Sequence, residues 1–481
     1  MRNAVIATAS VFVVWTAIGP PPGLAQWAEP DSAAIAPRVD SVFSEYDRTD
    51  SPGCALGVIR DGELIYARGY GMANLDLGVA ITPASVFRIG STSKQFTAAA
   101  VVLAAQNGEL SLDDDIRGYL PEMPDYGKTV TIRDLLHHTS GIRDYIRLMY
   151  LSGLREDDWY TDDEVLVMLA RQQATNFEPG SEYLYSNSGY FLISQIIERA
   201  TGLTLREYAQ QHIFRPLGMT HTHFHDDHKE IVANRASGYQ PVRGGGFRIS
   251  MTTLDMVGDG GVFTTVEDLL MWDRNFYEPR VGGDVFLRTM LRRGVLTGGD
   301  TLSYALGLGH ATYRGLPTVR HGGAWVGFRA QMIRFPEQRF SVICLCNLAT
   351  ANPTDLAERV ADVYLADLLA PVEERERRGD RRPESEAAEA PEYSAAELVA
   401  FAGTYYSEEL DADYRIYLEE EELRVQRGRG EPIALQPTGV DEFEVEGARV
   451  MFGRDGRGRP ESFVLDAGRV RGIRFVRING D

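Results

Sequence analysis

Ser91 and Lys94 stand three positions apart in Gly90-Ser91-Thr92-Ser93-Lys94, and the apolar pattern of residues 95–106 predicts a helix running on to a stop at Asn107-Gly108. Positions i and i+3 share a helix face, so the Lys94 amine lies beside the Ser91 hydroxyl. A serine at a helix N-terminus keeps its own backbone N–H free for an oxyanion, and an adjacent neutral amine can take the hydroxyl proton. The chemistry this suggests is nucleophilic attack on an acyl carbon. Basic-residue usage sharpens the point: lysine and arginine total 49, yet lysine occurs only at Lys94, Lys128 and Lys229. Arginine cannot give up its proton in a protein, whereas a desolvated lysine can. Alone, Ser-x-x-Lys also recurs on solvated helices that do no chemistry.

Two further stretches can complete a site. Tyr185-Ser186-Asn187 follows the turn-rich Glu178-Pro179-Gly180-Ser181 and precedes a helix expected over Tyr190 to Ala200, which would present Tyr185 and Asn187 together in a cleft. A phenol near an ammonium is favoured as phenolate, so Tyr185 can take a proton from Ser91 or relay one to a leaving group; whether Lys94 or Tyr185 is the base stays open. Asn187 can donate to a substrate carbonyl and hold Lys94. His321-Gly322-Gly323-Ala324 lies among strand-like residues, where two glycines allow close approach to the backbone and the Ala324 N–H can be a second oxyanion donor. Taken singly, these are a surface tyrosine, a turn asparagine and a hairpin turn.

In order, Ser91-Thr92-Ser93-Lys94, Tyr185-Ser186-Asn187 and His321-Gly322-Gly323 resemble the three signature motifs of the serine beta-lactamase and penicillin-binding-protein superfamily. Arg133 to Gly141, Pro216-Leu217-Gly218-Met219 and Gly260-Gly261 through Thr264 look like segments of its class C-like branch, which includes beta-lactamases, D,D-carboxypeptidases, D-aminopeptidases and family VIII carboxylesterases. The resemblance spans roughly residues 36 to 370 and implies Ser91 as nucleophile, Lys94 and Tyr185 as the proton-transfer pair, and Asn187, His321, Gly322, Gly323 and Ala324 as substrate-binding and oxyanion groups. The implied scheme uses no metal and no cofactor. At position 321 the beta-lactamase branch usually has a lysine that binds the beta-lactam carboxylate. A histidine, only partly charged near pH 7, weakens that anchor and favours ester or peptide-like amide hydrolysis. The alternatives are a class C-like beta-lactamase, or a catalytically weak protein holding peptidoglycan fragments or a partner in the same cleft.

The elements that must position these residues follow from patterning. A chain of 481 residues, 44% hydrophobic, has room for a large core, and its net charge of −20 argues against nucleic acid as partner. Arg2, the apolar run Ala4 to Ile18 and Gly23-Leu24-Ala25 read as an export signal over residues 1–25, whose cleavage leaves a periplasmic or secreted chain without a stable membrane span; the alternative is an uncleaved membrane anchor, for which the run is short and Pro20 to Pro22 end it early. Residues 26–370 form the expected hydrolase domain. A helix over Ala36 to Tyr46 leads to strands Cys54 to Arg60 and Glu63 to Gly69, joined by an Asp61-Gly62 hairpin turn. Strands return at Val319 to Arg320, Trp325 to Phe335 and Phe340 to Leu345, before a helix over Thr354 to Leu369. The fold class is therefore α/β (α+β): one antiparallel sheet flanked by helices, with an inserted helical subdomain. A charged linker occupies 371–392. Six alternating runs in 393–481 predict a small antiparallel barrel, and the resemblance extends to the lipocalin-like domain appended to some members.

Cys54, Cys344 and Cys346 lack metal or framework spacing and read as buried packing residues. His221, His223, His225 and His228 lack regular ligand spacing and read as solvated or singly packed, and His137-His138 as structural.

Overall fold

A computed structural model describes residues 32–154, 158–371, 391, 393–428 and 430–478. The expected signal segment and nearly all of the expected linker lie outside the described residues.

The first region is built on a six-stranded antiparallel sheet whose members come from both of its ends: β1 (Cys54–Arg60), β2 (Glu63–Tyr70), β3 (Gly309–Tyr313), β4 (Leu316–Trp325), β5 (Phe328–Phe335) and β6 (Phe340–Cys346), in the order β3-β4-β5-β6-β1-β2. The expected hairpin joins β1 and β2, with Asp61 and Gly62 both at positive φ (51° and 79°). The apolar run expected as one strand from Trp325 is broken by Val326-Gly327, where β4 turns back into β5. The adjacent interior strands β1 and β6 read as continuous apolar runs because both faces of the sheet are covered. Leu56, Val58, Val342 and Cys344 pack with the helices Ser32–Val42 and Pro353–Tyr364, while Ala55, Ile59, Ile343 and Leu345 join the core of the helical region. That region holds α1 (Lys94–Gln106), α2 (Tyr145–Leu151), α3 (Asn187–Thr201) and α4 (Val266–Asn275). A Cβ on Gly57 would sit 2.3 Å from a methyl of Val266, so α4 packs against β1 only because this position is bare.

The cysteine expectation is corrected. Cys54 and Cys346 face one another across β1 and β6 and form a disulfide, leaving Cys344 as a buried free thiol. Sequence separation of 292 hides a pair that strand register makes adjacent.

Residues 403–478 close into an eight-stranded up-and-down barrel, β7 (Gly403–Ser407), β8 (Ala412–Glu419), β9 (Glu422–Arg427), β10 (Ile433–Gly439), β11 (Glu442–Val445), β12 (Ala448–Arg454), β13 (Pro460–Ala467) and β14 (Val470–Ile478), with β14 pairing back onto β7. Two strands, β7 and β10, are not apparent as alternating runs: Gly403 and Thr404 open the former, and Pro437 with a register shift interrupts the latter. The interior is filled by rings, among them Phe401, Tyr405, Phe443, Phe452, Phe463 and Phe475, with Phe463 and Phe475 stacked at 4.5 Å. The barrel is thus a solid support. It docks on the helical region through a buried ion pair, Arg143 to Glu409 at 2.5 Å, and through Gln172 Nε2 donating to Glu409 O and Tyr414 Oη donating to Leu151 O.

No helix among the described residues is long and apolar enough to cross a membrane.

Candidate active site

Ser91 lies on a tight turn, Gly90–Ser93, that leads directly into α1. The turn is pressed against β4. Gly90 has φ +51°, and a Cβ there would fall 2.7 Å from Ala324 N; a Cβ on Gly323 would fall 1.9 Å from Ile89 O. These glycines let strand and turn touch, which brings the Ala324 amide beside Ser91. β3 pairs with β4 only up to Arg320, so His321 to Trp325 run on past it toward the Ser91 turn. Polar residues of the turn and α1 tie down a crossing segment: Thr97 Oγ1 donates to Gly258 O, and Ser93 Oγ accepts from Val262 N. That segment carries Asp259 to the site.

Lys94 is completely buried. Its Nζ is 3.3 Å from Ser91 Oγ, 2.9 Å from Asn187 Oδ1 and 2.6 Å from the Asp259 carbonyl oxygen. The last two can only accept, so a neutral amine satisfies them with its two N–H groups and turns its lone pair to the Ser91 hydroxyl. Burial pushes the Lys94 amine down to about 8; the Asp259 and Asp144 carboxylates pull it upward, and Arg469 adds to the depression. Asp259 is itself buried, which raises it to about 6.

Asn187 is the first residue of α3, three residues earlier than expected. Its backbone N–H and Nδ2 both donate to Asp144 Oδ2, at 2.8 and 2.9 Å, which fixes the amide so that Oδ1 faces Lys94. Tyr185 packs its ring 4.8 Å from Lys94 Nζ and 4.2 Å from the His138 ring. Its hydroxyl is buried without a well-formed hydrogen bond, although Ser91 is close enough to ease its ionisation. Burial nevertheless drives the phenol well above its ordinary value. The phenolate expectation is corrected accordingly: loss of water costs the anion more than the nearby cations return.

His321 is buried. Its Nδ1 donates to Gly322 O at 2.6 Å, and its Nε2 is 3.0 Å from Tyr304 Oη, which makes the ring a neutral Nδ1–H tautomer accepting from the phenol. Burial, assisted by Lys94, lowers it to about 4, so the expected partial charge is replaced by none near pH 7.

Ser91, Tyr185, Asn187, His321, Gly322, Gly323 and Ala324 all line one cleft of 1040 Å³, with Lys94 beneath Ser91. Sequence reasoning missed several of its parts. Asp144 and Asp259 follow no local motif; His138 supports the Tyr185 ring and accepts from Ser186 N; Arg469 arrives from the barrel. The left-handed φ of His138 (60°) ends a short helix, which its sequence context gave as merely structural.

The histidine expectation is also corrected. His223 Nε2 and His225 Nδ1 lie 3.2 Å apart, and His228 bonds Asp255. With Glu230 the first two gather within ligand distance of one another; both Glu230 oxygens also accept from Arg206, and burial lowers His225 to about 3, which keeps its ring neutral.

Comparison with known proteins follows the same outline. D-aminopeptidases of Gluconobacter oxydans (strain 621H) and Brucella anthropi are each 28% identical to the chain, over 80% and 70% of it, and the chain covers 69% and 63% of their lengths. A D-aminopeptidase of Cereibacter sphaeroides is 30% identical over 62% of the chain, which spans 57% of that relative. In fold, the penicillin-binding protein homologue from Pyrococcus abyssi aligns with a TM-score of 0.62 at 22% identity, covering 93% of this chain and 100% of the other. D-amino acid amidase from Ochrobactrum anthropi SV3 aligns at 0.59 and 22%, covering 69% and 99%. The beta-lactamase family profile matches residues 38–366, well over half of the chain, and the protein belongs to that family.

Proposed function

We propose that the protein is a serine hydrolase acting through an acyl-serine intermediate on peptide-like amides and esters, and that it works outside the cytoplasm. The observation that carries this reading is the wholly buried Lys94, whose amine is held between two acceptors and the Ser91 hydroxyl and is lowered to about 8. In its neutral form Lys94 takes the Ser91 proton as Oγ attacks the carbonyl carbon. The oxyanion is received by the N–H groups of Ser91 and Ala324. Collapse breaks the bond to the leaving group, which takes its proton from the Lys94 ammonium, either directly or through the Tyr185 hydroxyl, whose own proton is replaced from Lys94, so that Lys94 is neutral again for deacylation. Water then attacks the acyl-serine by the same route in reverse. Tyr185 thus serves as an acid and Lys94 as the base.

The D-aminopeptidase relatives support an amide substrate. The neutral His321 supports a preference for esters and amides over efficient beta-lactam turnover, because position 321 offers no cation to a carboxylate. The Cys54–Cys346 disulfide fits an oxidising compartment and so supports an export signal in residues 1–25. A panel of a short-chain p-nitrophenyl ester, N-acylated D-amino acid p-nitroanilides and a cephalosporin tests the reading. Ester and anilide turnover should exceed cephalosporin turnover and vanish in Ser91→Ala; cephalosporin hydrolysis outrunning both would overturn the preference.

A further inference from the structure

The loop between β13 and β14 reaches out of the barrel and into the active-site cleft, where Gly468 and Arg469 form part of the wall. Arg469 is not a loose surface side chain. Its carbonyl oxygen accepts from Asn176 Nδ2 at 2.9 Å and from the Asp144 N–H at 3.4 Å, and Asn176 Oδ1 accepts from Arg471 N. The loop is clamped by both sides of one asparagine. From that anchor the guanidinium stacks 4.7 Å from the Tyr185 ring centre and reaches to 3.7 Å from Asp144 Oδ2, with 46% of the side chain still open to solvent.

The charge lining the cleft is unusual for so acidic a chain. Arg88, Arg147, Arg329 and Arg469 line it against the carboxylates of Asp144 and Asp259. Asp144 is buried, and its oxygens already accept from Arg147 N and twice from Asn187. Asp259 is buried against Tyr145. Arg88 is itself buried and interacts with the Asp259 carboxylate, whereas Arg147 and Arg329 are partly exposed and form no ion pair with a carboxylate within 4.0 Å among the described residues. The solvent-facing charges of this cleft are therefore the cations Arg147, Arg329 and Arg469, while the protein as a whole carries −20.

We infer that Arg469, delivered by the C-terminal barrel, is a specificity-determining residue that selects acyl substrates bearing a carboxylate and disfavours those bearing a free ammonium group. The inference rests on the serine-hydrolase reading for its substrate class and sets this chain apart from what the name D-aminopeptidase describes in its relatives. Arg469 does not stand in for position 321: it lies on the barrel side, over the Tyr185 ring, so a carboxylate it holds is placed differently from one held at position 321 on β4. A guanidinium offers a carboxylate a charge-assisted, often bidentate, hydrogen bond, and an ammonium group in the same place meets like charge.

The test compares full-length protein with Arg469→Ala, Arg469→Glu and Arg469→Lys, each first checked for an unchanged thermal transition. D-alanine p-nitroanilide is supplied with its amine free, N-acetylated or N-succinylated, and an acyl p-nitroanilide is paired with its ring-carboxylated analogue. The wild type should favour one or both carboxylate forms over their neutral counterparts by about tenfold in kcat/KM. It should turn over the free amine worst. That ratio should collapse in Arg469→Ala, invert in Arg469→Glu and be largely restored in Arg469→Lys. A wild type that prefers the free amine, or a ratio unmoved by Arg469→Ala, would overturn the assignment. Failure of the hydrolase reading is distinguished by a binding arm that needs no turnover. Calorimetry of Ser91→Ala protein should show tighter binding of N-acetyl-D-alanine than of its amide, a difference lost when Arg469→Ala is added; equal binding of the two would also refute the role.

Discussion

Between pH 6 and pH 9 the rate of acylation should climb along a single titration belonging to Lys94. The amine is lowered to about 8, chiefly because burial penalises its charge, so the neutral form is the one the fold favours more than water does. With an inflection near 8, about 1% of the sites hold a neutral amine at pH 6, about 10% at pH 7 and about 90% at pH 9, a rise of roughly 90-fold with a slope of one below the inflection. The competing carboxylate is identifiable. Asp259, raised only to about 6, is ionised through the upper part of this range and pulls Lys94 upward. Asp259→Asn should therefore move the inflection to lower pH, and a shift of one unit corresponds to about 1.4 kcal/mol of lost charge interaction. The assay is kcat/KM for a p-nitrophenyl ester followed by absorbance, corrected at each pH with Ser91→Ala protein. A profile flat from pH 6 to 9, or one rising only above pH 10 and indifferent to Asp259→Asn, would show that Lys94 stays an ammonium and that the proton goes elsewhere.

Other expectations follow from the same geometry. Tyr185→Phe keeps the ring between His138 and Lys94 but removes the acid, so turnover should fall on the order of 10²–10⁴-fold with an unchanged melting temperature; near-normal turnover of an amide would remove Tyr185 from the mechanism. Gly323→Ala places a methyl 1.9 Å from Ile89 O and should lower both stability and activity by forcing β4 off the Ser91 turn, as read by thermal melting and ester hydrolysis. Replacing Cys54 and Cys346 together by serine releases a cross-link spanning 292 residues and should cost about 2–4 kcal/mol in denaturant unfolding, while Cys344→Ala leaves the cross-link in place.

The parts of the site legible in the sequence were those set by local chemistry. Ser91 and Lys94 share a helix face, Asn187 stands with Tyr185 just ahead of an expected helix, and the paired glycines of Gly322-Gly323 mark a close backbone approach; none of these needs a distant residue to be recognised. Strand patterning likewise gave both ends of the sheet, because β1 and β6 are apolar on both faces. What stayed hidden depends on register and burial. Cys54 meets Cys346 only once β6 lies beside β1. Asp259 contributes its carbonyl because Thr97 and Ser93 bind the segment around it. Arg469 enters the cleft only because Arg143 and Glu409 seat the barrel on the helices. The charge states of Tyr185 and His321 were misjudged for one reason: neighbouring residues can be read from a sequence, but the exclusion of water that decides between charged and neutral forms cannot.

The central claim is that Ser91 becomes covalently acylated with Lys94 as its base. Intact-protein mass spectrometry after mixing with a slowly hydrolysed activated ester tests it directly. The account predicts one acyl adduct, mapped to the peptide containing Ser91, forming faster at pH 8.5 than at pH 6.5 and absent in both Ser91→Ala and Lys94→Met. Adduct formation at the same rate in Lys94→Met, or at another residue in the wild type, would contradict it.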